Sequence, residues 1–429
     1  MSFAYPAPLV PNISDPAALR RALDPMQTRR PLARLLGLDP RDLSVAVDRT
    51  HFSATRPTTL QYRVGAVSSA GDAIVLGELV GHRAEAHAAA ERVRLSQSRR
   101  AQVSRGAAPA LLADLELGLV FRTPGLDARL PGLKLLHDPA LAAETAAEAL
   151  GVGSRGLCAT VSLRAHRLGK RAVLQIDLRG TDHRRLYARL RPTSSAAGAI
   201  AFRRHREIAA ALAPAGAIAV PEPLRHNAAL GAAFIAALPG APSGYRGAEG
   251  IRATKIAGRA LSALFAHGPE CGASYGMAEE LALLGGWIDR VCTAFPTLAG
   301  PASAALTAVE ATLFRMPEVA PRPCHRDFHE GQILIHGDRA GVLDFDTYCR
   351  SDPALDTGNL IAHLRMRGLR ENRRLTAIAD AFRRAMLPHA GPENVKAWTR
   401  AALLRLGCIQ AFTSQGPKLA RALFREAAR

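Results

Sequence analysis

Residues 323–363 read PCHRDFHEGQILIHGDRAGVLDFDTYCRSDPALDTGNLIAH and carry the clearest structural signal in the chain. A polar loop, HRDFHEGQ, precedes the apolar run ILIH, and the turn GDRAG leads into a second apolar run, VLDF, which ends in carboxylates. Two short apolar runs joined by a Gly-containing turn predict a β-hairpin. Such a hairpin would bring Asp327, Gln332 and Asp344 together at one end.

These three residue types suit phosphoryl transfer. The reaction needs a carboxylate that orients the attacking hydroxyl and accepts its proton, and further oxygen atoms that hold Mg²⁺ against the phosphates. In kinases an Asp and an amide five residues later flank the catalytic loop, and a second Asp follows on the next strand. Gln332 lies five residues after Asp327, and Asp344 lies twelve residues after Gln332. The spacing therefore predicts a kinase-type site.

The stretch resembles the catalytic core of the aminoglycoside phosphotransferase and choline kinase superfamily, which is related to the protein kinases. Members have a His-x-Asp loop ending in Asn, then an Ile/Leu-Asp-Phe/Trp-Asp/Glu strand, then Asp-Pro-x-x-Asp. The matching positions here are His325, Asp327, Leu343, Asp344, Phe345, Asp346, Asp352, Pro353 and Asp356. The resemblance implies that Asp327 is the catalytic base, that Asp344 is the principal Mg²⁺ ligand and that Asp356 braces the loop. Gln332 replaces the usual Asn, as in maltokinase-like members, and is the second metal ligand in this interpretation.

Nucleotide-binding residues are expected before the helical region. Kinases cover ATP with a loop between two strands, hold its phosphates with a Lys on the third strand and pair that Lys with a Glu on the next helix. The corresponding loop here is HRLGK, which contains Gly169, the strand LYARL places Arg189 at the Lys position, and the helix FRRHREIAAAL places Glu207 at the partner position. Arg is not a neutral replacement for Lys. Weaker ATP binding, or a catalytically impaired ATP-binding pseudokinase, is the alternative.

Two strand groups of the same order precede the helical region. The first runs LSVAVD, TTLQYRV and AIVLGELV, and the second runs LCATVSLRA, RAVLQIDL and RLYARL. The segment LQYRV at 60–64 resembles LQIDL at 174–178, which suggests a duplicated sheet unit, with a chance match as the alternative. In such a duplication Glu78 aligns with Arg189, and a carboxylate would repel phosphate. The first copy is therefore not expected to be the nucleotide site.

From about residue 240 apolar residues recur at helical spacing. We predict an α+β, two-lobed protein-kinase-like fold. Its parts are an N-terminal α+β region at 1–145, a kinase-like small lobe at 146–238 and a helical catalytic large lobe at 239–429. A duplication would make the N-terminal region a degenerate copy of the small lobe. The Pro-rich residues 1–35 are expected to be an extended lead-in with one short amphipathic piece near 16–23.

Composition restricts the partners. A net charge of +19 would favour nucleic acid or an anionic membrane. The arginines, however, are scattered, and no basic segment is interleaved with aromatic residues. We expect neither partner, although a basic nucleic-acid-binding protein stays a third alternative. The chain shows no secretory leader pattern and no run of 18 apolar residues, so a cytoplasmic location is expected. The six widely spaced cysteines are expected to be reduced thiols.

The acceptor is expected to be a small molecule with a hydroxyl group. Residues 361–429, where the superfamily builds its acceptor pocket, contain 14 Arg and Lys against 4 Asp and Glu. Aminoglycosides are polycations, and a pocket that recognises them needs carboxylates. A neutral or anionic acceptor is therefore favoured, with a sugar first and a cationic amino alcohol second. The alternative is that these arginines are solvated on outer helix faces.

Overall fold

The computed structural model describes residues 13, 15–53, 56–66, 73–80, 85–91, 111–123, 127–180, 182–194 and 196–429. The helices are α1 (Pro16–Leu23), α2 (Pro25–Leu36), α3 (Pro139–Leu150), α4 (Ala197–Leu212), α5 (Gly247–His267), α6 (Met277–Ala294), α7 (Ala299–Leu313), α8 (Ala354–Glu371), α9 (Thr376–Met386), α10 (Pro392–Ala411) and α11 (Gly416–Ala428). The strands are β1 (Leu43–His51), β2 (Thr58–Ala66), β3 (Ala73–Leu79), β4 (Leu111–Asp114), β5 (Leu119–Arg122), β6 (Cys158–Arg167), β7 (Arg171–Arg179), β8 (His183–Leu190), β9 (Ile218–Ala219), β10 (Pro223–Asn227), β11 (Ala232–Ala236), β12 (Ala241–Pro242), β13 (Ala273–Ser274), β14 (Arg322–Cys324), β15 (Ile333–His336), β16 (Arg339–Val342) and β17 (Cys349–Ser351).

Two five-stranded sheets have the same strand order. The first sheet runs β1-β2-β3-β5-β4, and the second runs β6-β7-β8-β11-β10. In each sheet the first three strands form an antiparallel meander. A later hairpin adds the last two strands, and the second strand of that hairpin pairs with the third strand of the meander. Helical residues separate the meander from the hairpin in both cases, at 85–91 and at 197–212. Descent of the two sheets from a duplication stays a prediction.

The two similar pentapeptides occupy the same register. Leu60 and Leu174 are their first residues, and each pairs with the residue immediately before Glu78 and Arg189, respectively. Glu78 and Arg189 therefore take equivalent positions on the third strands of the two sheets.

The first sheet packs against the helical lobe. The sheet and helices α1 and α2 share one apolar core with α6, α7, α10 and α11. Tyr62 lies at 0% exposure in this core, and its hydroxyl donates to the Ala22 carbonyl oxygen at 2.8 Å. The N-terminal region is thus joined to the large lobe by a continuous hydrophobic core, whose burial is the main favourable term in such packing.

Alternation along β8 gives the second sheet two different faces. Leu186, Ala188 and Leu190 are buried in a core shared with α3. Arg189 and Arg191, at the intervening positions, point to the opposite face. Helix α3 packs on this sheet, and the predicted boundary between residues 145 and 146 falls inside this helix. The division into three parts stays a prediction.

The lead-in is more helical than the sequence predicts. Helix α2 begins after Asp24, whose carboxylate accepts the N–H of Met26, and Pro25 takes the first turn, where a missing N–H costs nothing. Pro31 lies inside the helix, and the burial of Leu32 beside it offsets the lost hydrogen bond. The extended conformation expected for 25–35 was therefore wrong, because tertiary packing overrides the Pro-rich composition.

The large lobe surrounds a short hairpin with helices. Strands β15 and β16 form the centre of a sheet of order β12-β15-β16-β9, and β13-β17-β14 form a second small sheet. Helices α5, α8, α9 and α10 enclose this hairpin in an apolar core. The arrangement confirms the predicted α+β fold with two kinase-like lobes. The six cysteines are free, and none of the described helices has the length and apolar character of a membrane span.

Candidate active site

The loop between β14 and β15 is held by α8. Asp356 lies at 0% exposure at the start of that helix, and its carboxylate accepts the N–H of His325 at 2.6 Å and of Arg326 at 2.7 Å. Burial raises the pKa of Asp356 to about 7, although the two N–H donors act in the opposite direction. Asn359 donates its amide to the Phe328 carbonyl oxygen at 3.1 Å. Asp356 therefore braces the loop as the resemblance implies.

The buried His325 ring ties the loop to the hairpin. Its Nε2 lies 2.8 Å from the carbonyl oxygen of Leu343, and its Nδ1 accepts the backbone N–H of Asp327 at 3.3 Å. Burial lowers the pKa of His325, and a neutral ring protonated at Nε2 satisfies both contacts. Since Asp344 directly follows Leu343, one side chain fixes Asp327 relative to Asp344.

Gln332 and Asp344 lie side by side at the open end of the hairpin. The Leu343 N–H donates to the Gln332 carbonyl oxygen at 2.9 Å, and the next pair, Ile333 and Val342, continues the ladder. Asp344 has φ +59° and ψ +67°, a left-handed conformation that residues other than Gly seldom adopt. Such strain persists only where surrounding contacts hold it, and it clusters at functional sites. The structure thus brings together the three residues that the sequence predicts.

The side chain of Asp327 is partly open to solvent. Its side chain is 46% exposed, and His329 Nε2 lies 3.9 Å from its Oδ2. Arg405 is buried nearby; burial lowers its pKa, but Glu280 and, more weakly, Asp327 raise it overall. Glu280 contacts Arg405 at 2.7 Å and holds it in place. Because almost half of the side-chain surface is exposed, a hydroxyl from solution can reach this carboxylate.

Three arginines of the second sheet contact the carboxylates that end the hairpin. Arg189 reaches Asp344 at 2.7 Å and Asp346 at 2.6 Å, while Arg191 and Arg171 reach Asp346 at 2.6 Å and 2.7 Å. The register of β7 and β8 places all three arginines on one face. Burial raises the pKa of Asp346, but the three arginines lower it overall. Guanidinium groups bind phosphate oxygens in a bidentate manner, so this face is suited to phosphates.

The model of the phosphotransferase enzyme family matches residues 176–398, slightly more than half of the 429 residues. The matched range contains β8, the loop held by Asp356 and the hairpin that ends in Asp344. The chain belongs to the phosphotransferase enzyme family. It is thus an enzyme that transfers a phosphoryl group to a hydroxyl of a small molecule, as the motif spacing predicts.

Three solved structures show similarity to this phosphotransferase. A choline/ethanolamine kinase family protein from Mesorhizobium loti has 18% identity over 62% of this chain and 86% of its own, with a TM-score of 0.42. A thermostable mutant of aminoglycoside phosphotransferase APH(4)-Ia, in a ternary complex with AMP-PNP and hygromycin B, has 16% identity over 67% of this chain and 97% of its own, with a TM-score of 0.48. The ADP-bound aminoglycoside phosphotransferase APH(2'')-Ib has 11% identity over 67% and 95%, with a TM-score of 0.42. No curated protein matches the chain.

The structure of the phosphotransferase does not bring together Arg189 and Glu207, which the sequence predicts as a pair. The carboxylate partners of Arg189 are Asp344 and Asp346. His205 faces Arg189 instead, and burial, followed by Arg189, lowers the pKa of His205 to about 4. Residues two apart point to different sides of a helix. Glu207 is accordingly exposed and its carboxylate lies by the Cys271 thiol.

The turn that contains Gly169 is bound to the N-terminal region of the phosphotransferase. The Gly169 N–H donates to the Asp127 carboxylate at 2.6 Å, and its carbonyl oxygen accepts from Arg56 at 3.1 Å. Gly169 has φ +66°, a left-handed conformation that favours Gly. His166 lies 3.1 Å from Asp127 and completes the attachment. A role for Gly169 in nucleotide binding stays a prediction.

Sequence reasoning missed Arg171, Arg191 and His205 of the phosphotransferase. The alternation of LYARLR is a usable signal for Arg191, because residues two apart in a strand share a face. Arg171 and His205 have no such signal. Their positions depend on which strand pairs with β8 and on which side of α4 faces the sheet.

Proposed function

We propose that this phosphotransferase moves the γ-phosphoryl group of ATP to a hydroxyl of a small molecule, with a sugar-like acceptor favoured. The open carboxylate of Asp327, fixed through His325 to the strand that presents Asp344, is the observation that carries the proposal. It provides one group to receive the hydroxyl proton and a second group, on the adjoining strand, to hold the donor. The use of ATP as the phosphoryl donor agrees with the expected cytoplasmic location.

The donor set at the hairpin fits Mg²⁺. Asp344 and Gln332 offer the carboxylate and amide oxygens that this cation prefers, and they lie on neighbouring strand ends. These two residues would hold the ion, which when bound neutralises charge on the phosphates. Asp344 must then exchange its contact with Arg189, whereas Asp346 retains Arg171 and Arg191 as partners.

The residues of the chain have distinct roles in this proposal. Asp327 orients the acceptor hydroxyl and takes its proton. Arg189, released from Asp344, binds phosphate oxygens through two of its N–H groups. Asp356 and His325 do not touch the substrates and act as positioning residues for Asp327.

A second candidate function is an ATP-binding pseudokinase. The ion pair between Arg189 and Asp344 is the observation that favours it, because a guanidinium there competes with a metal for the same carboxylate. Titration calorimetry with Mg-ATP, followed by a phosphate-transfer screen, separates the two functions. Binding with turnover supports the kinase, binding without turnover on any acceptor supports the pseudokinase, and no binding contradicts both.

Arg189→Ala is expected to raise the KM for ATP by at least about tenfold, because one charge-assisted pair to phosphate is lost. Glu78→Ala is the matched control, since Glu78 takes the equivalent position on the first sheet and pairs with Arg122 instead. Steady-state kinetics with ATP as the varied substrate measure both. A larger rise for Glu78→Ala than for Arg189→Ala would reverse the assignment of the two sheets.

The surroundings of Asp327 support a neutral or anionic acceptor. Arg326 stacks on the ring of Tyr275 at 3.7 Å, and Arg405 is buried in the same region. The buried carboxylate of Glu280 accepts from both Arg405 and Tyr275. Because Glu280 is already paired with a cation, it does not offer a free carboxylate to a cationic acceptor.

Part of the charge excess in residues 361–429 lies away from this region. Eight basic side chains there are exposed, namely Arg365, Arg370, Arg374, Arg384, Lys396, Lys418, Arg425 and Arg429. The support for the acceptor charge therefore comes from Arg326 and Arg405 more than from the total charge of the segment.

A neutral sugar is expected to be phosphorylated at least about tenfold faster than kanamycin at equal concentration, because like charges at close range oppose binding. A coupled assay for ADP release with neutral sugars, choline and kanamycin measures the order. The Asp327→Asn protein serves as the background control in each reaction. A rate with kanamycin above that of every neutral sugar tested would overturn the proposed acceptor class.

A further inference from the structure

A cavity of about 220 Å³ lies between the first sheet and the turn that joins β6 to β7. Its walls come from the end of β1 and the following segment, from β2, β3 and β5, and from residues 127–129 and 167–170. Asp327, Asp344 and Asp346 are not among its described lining residues. The catalytic carboxylates thus lie outside the cavity, whose lining comes mostly from the N-terminal region and partly from the turn that the resemblance assigns to the nucleotide.

The lining has an excess of positive charge. It contains five Arg and Lys side chains and two carboxylates, Glu78 and Asp127. Glu78 forms an ion pair with Arg122, and Asp127 contacts His166. The cations of the lining without a carboxylate partner among the described residues are Arg56, Arg129, Arg167 and Lys170. The positive charge of this lining therefore favours an anionic ligand.

The cations also disfavour one another's charge. Burial, followed by Arg167, Arg49 and Lys170, lowers the pKa of His51 at the end of β1 to about 3. Burial and neighbouring arginines likewise lower the pKa of Arg167 and of Lys170. The Nε of Arg167 is buried without a hydrogen-bond partner. Like charges held close together oppose one another, so a bound anion would stabilise the folded state.

Hydrogen bonds hold the backbone of the cavity wall. Asp127 holds the Gly169 N–H at 2.6 Å and the Arg129 N–H at 3.1 Å, while Arg56 holds the Gly169 carbonyl oxygen at 3.1 Å. These bonds fix the backbone from which the cationic side chains project, which lowers the ordering cost of binding. The planar guanidinium group of an arginine can donate two hydrogen bonds to phosphate oxygens, and a lysine adds a compact positive charge.

We propose that this cavity binds a phosphate-class oxyanion, either free phosphate or the phosphate monoester of a small molecule, at a site that does not include Asp327 or Asp344. The ligand pairs with Arg129, Arg167 and Lys170. Arg171, the residue after Lys170, contacts Asp346, so the occupied cavity adjoins the wall of the active site through one strand end. The site does not depend on the proposed acceptor or on turnover.

Thermal unfolding of the full chain tests the site, with chloride added to keep the ionic strength constant. Saturating inorganic phosphate is expected to raise the Tm of the wild-type protein by at least about 2 °C. Arg167→Gln is expected to lose most of this rise, whereas Arg374→Gln, which removes one exposed charge elsewhere, retains it. Without phosphate, the Tm of Arg167→Gln is expected to equal or exceed that of the wild type, because a repelling charge is removed. Arg129→Gln repeats the test at an exposed position where misfolding is not a concern.

Two further measurements identify the ligand and the place where it binds. Glucose 6-phosphate compared with inorganic phosphate distinguishes a phosphate monoester from the free ion, and glucose alone is expected to give no rise. Mg-AMP-PNP at saturation is expected to leave the phosphate-dependent rise in place. The proposal is overturned if phosphate raises the Tm of Arg167→Gln and Arg129→Gln as much as that of the wild type, if phosphate has no effect on the wild type, or if Mg-AMP-PNP abolishes the rise.

Discussion

Asp327→Asn is expected to lower kcat by at least about a hundredfold, since general-base catalysis contributes about 10² to 10⁴. The amide keeps the size of the side chain but cannot accept the hydroxyl proton. The contacts that hold the loop use the backbone and His325, not this carboxylate, so the fold and the Kd for ATP are expected to be unchanged. Kinetics, calorimetry and the Tm together measure the three quantities.

Asp338→Asn is the matched control for this change. Asp338 lies in the turn of the same hairpin, is 80% exposed and pairs with Arg252 at 3.0 Å on the surface. It is expected to retain wild-type kcat. Full activity of Asp327→Asn with an unchanged Tm would show that Asp327 is not the base.

Asp344→Ala is expected to lower kcat/KM by at least about a thousandfold, because charge neutralisation by a metal is worth several kcal/mol in the transition state. The variant also loses the contact that Arg189 makes at 2.7 Å, but Asp346 still binds that arginine. The arginine face is therefore expected to stay ordered. Titration of Mg²⁺ in the presence of ADP measures the loss of the ion directly.

Asp338→Ala is the matched control for the metal measurement as well. Equal Mg²⁺ affinity in Asp344→Ala and in the wild type would remove Asp344 from the metal site and leave Gln332 as the residue to examine. Loss of affinity in both variants would instead point to a general effect of charge on the hairpin.

The predictable part of the site is the part built from neighbours in sequence. Asp327, Gln332 and Asp344 lie within one loop and one hairpin, so spacing and strand pairing fix their relative positions. The partner of Arg189 was not predictable in this way. The choice between Glu207 and the hairpin carboxylates depends on how α4 and β8 face the large lobe, which a periodic pattern does not encode.

The same distinction applies to the fold. The strand groups and the helical region follow from alternation and helical spacing, and the structure has both. The contact between the first sheet and α6, α7, α10 and α11 joins segments more than 150 residues apart, and no local pattern in either segment specifies its partner. Likewise α2 contains Pro31 because burial beside it outweighs the local propensity.

The attachment of the Gly169 turn has a consequence for motion. Arg56 and Asp127 belong to the N-terminal region, and the core of that region continues into the helical lobe. The turn is thereby connected, through the N-terminal region, to the helical lobe. Opening by a simple hinge between two lobes would have to break these bonds or carry the N-terminal region along. In the proposed function this turn covers the nucleotide, so release of spent nucleotide would require two hydrogen bonds and the contact of His166 with Asp127 to break or to move together with the turn.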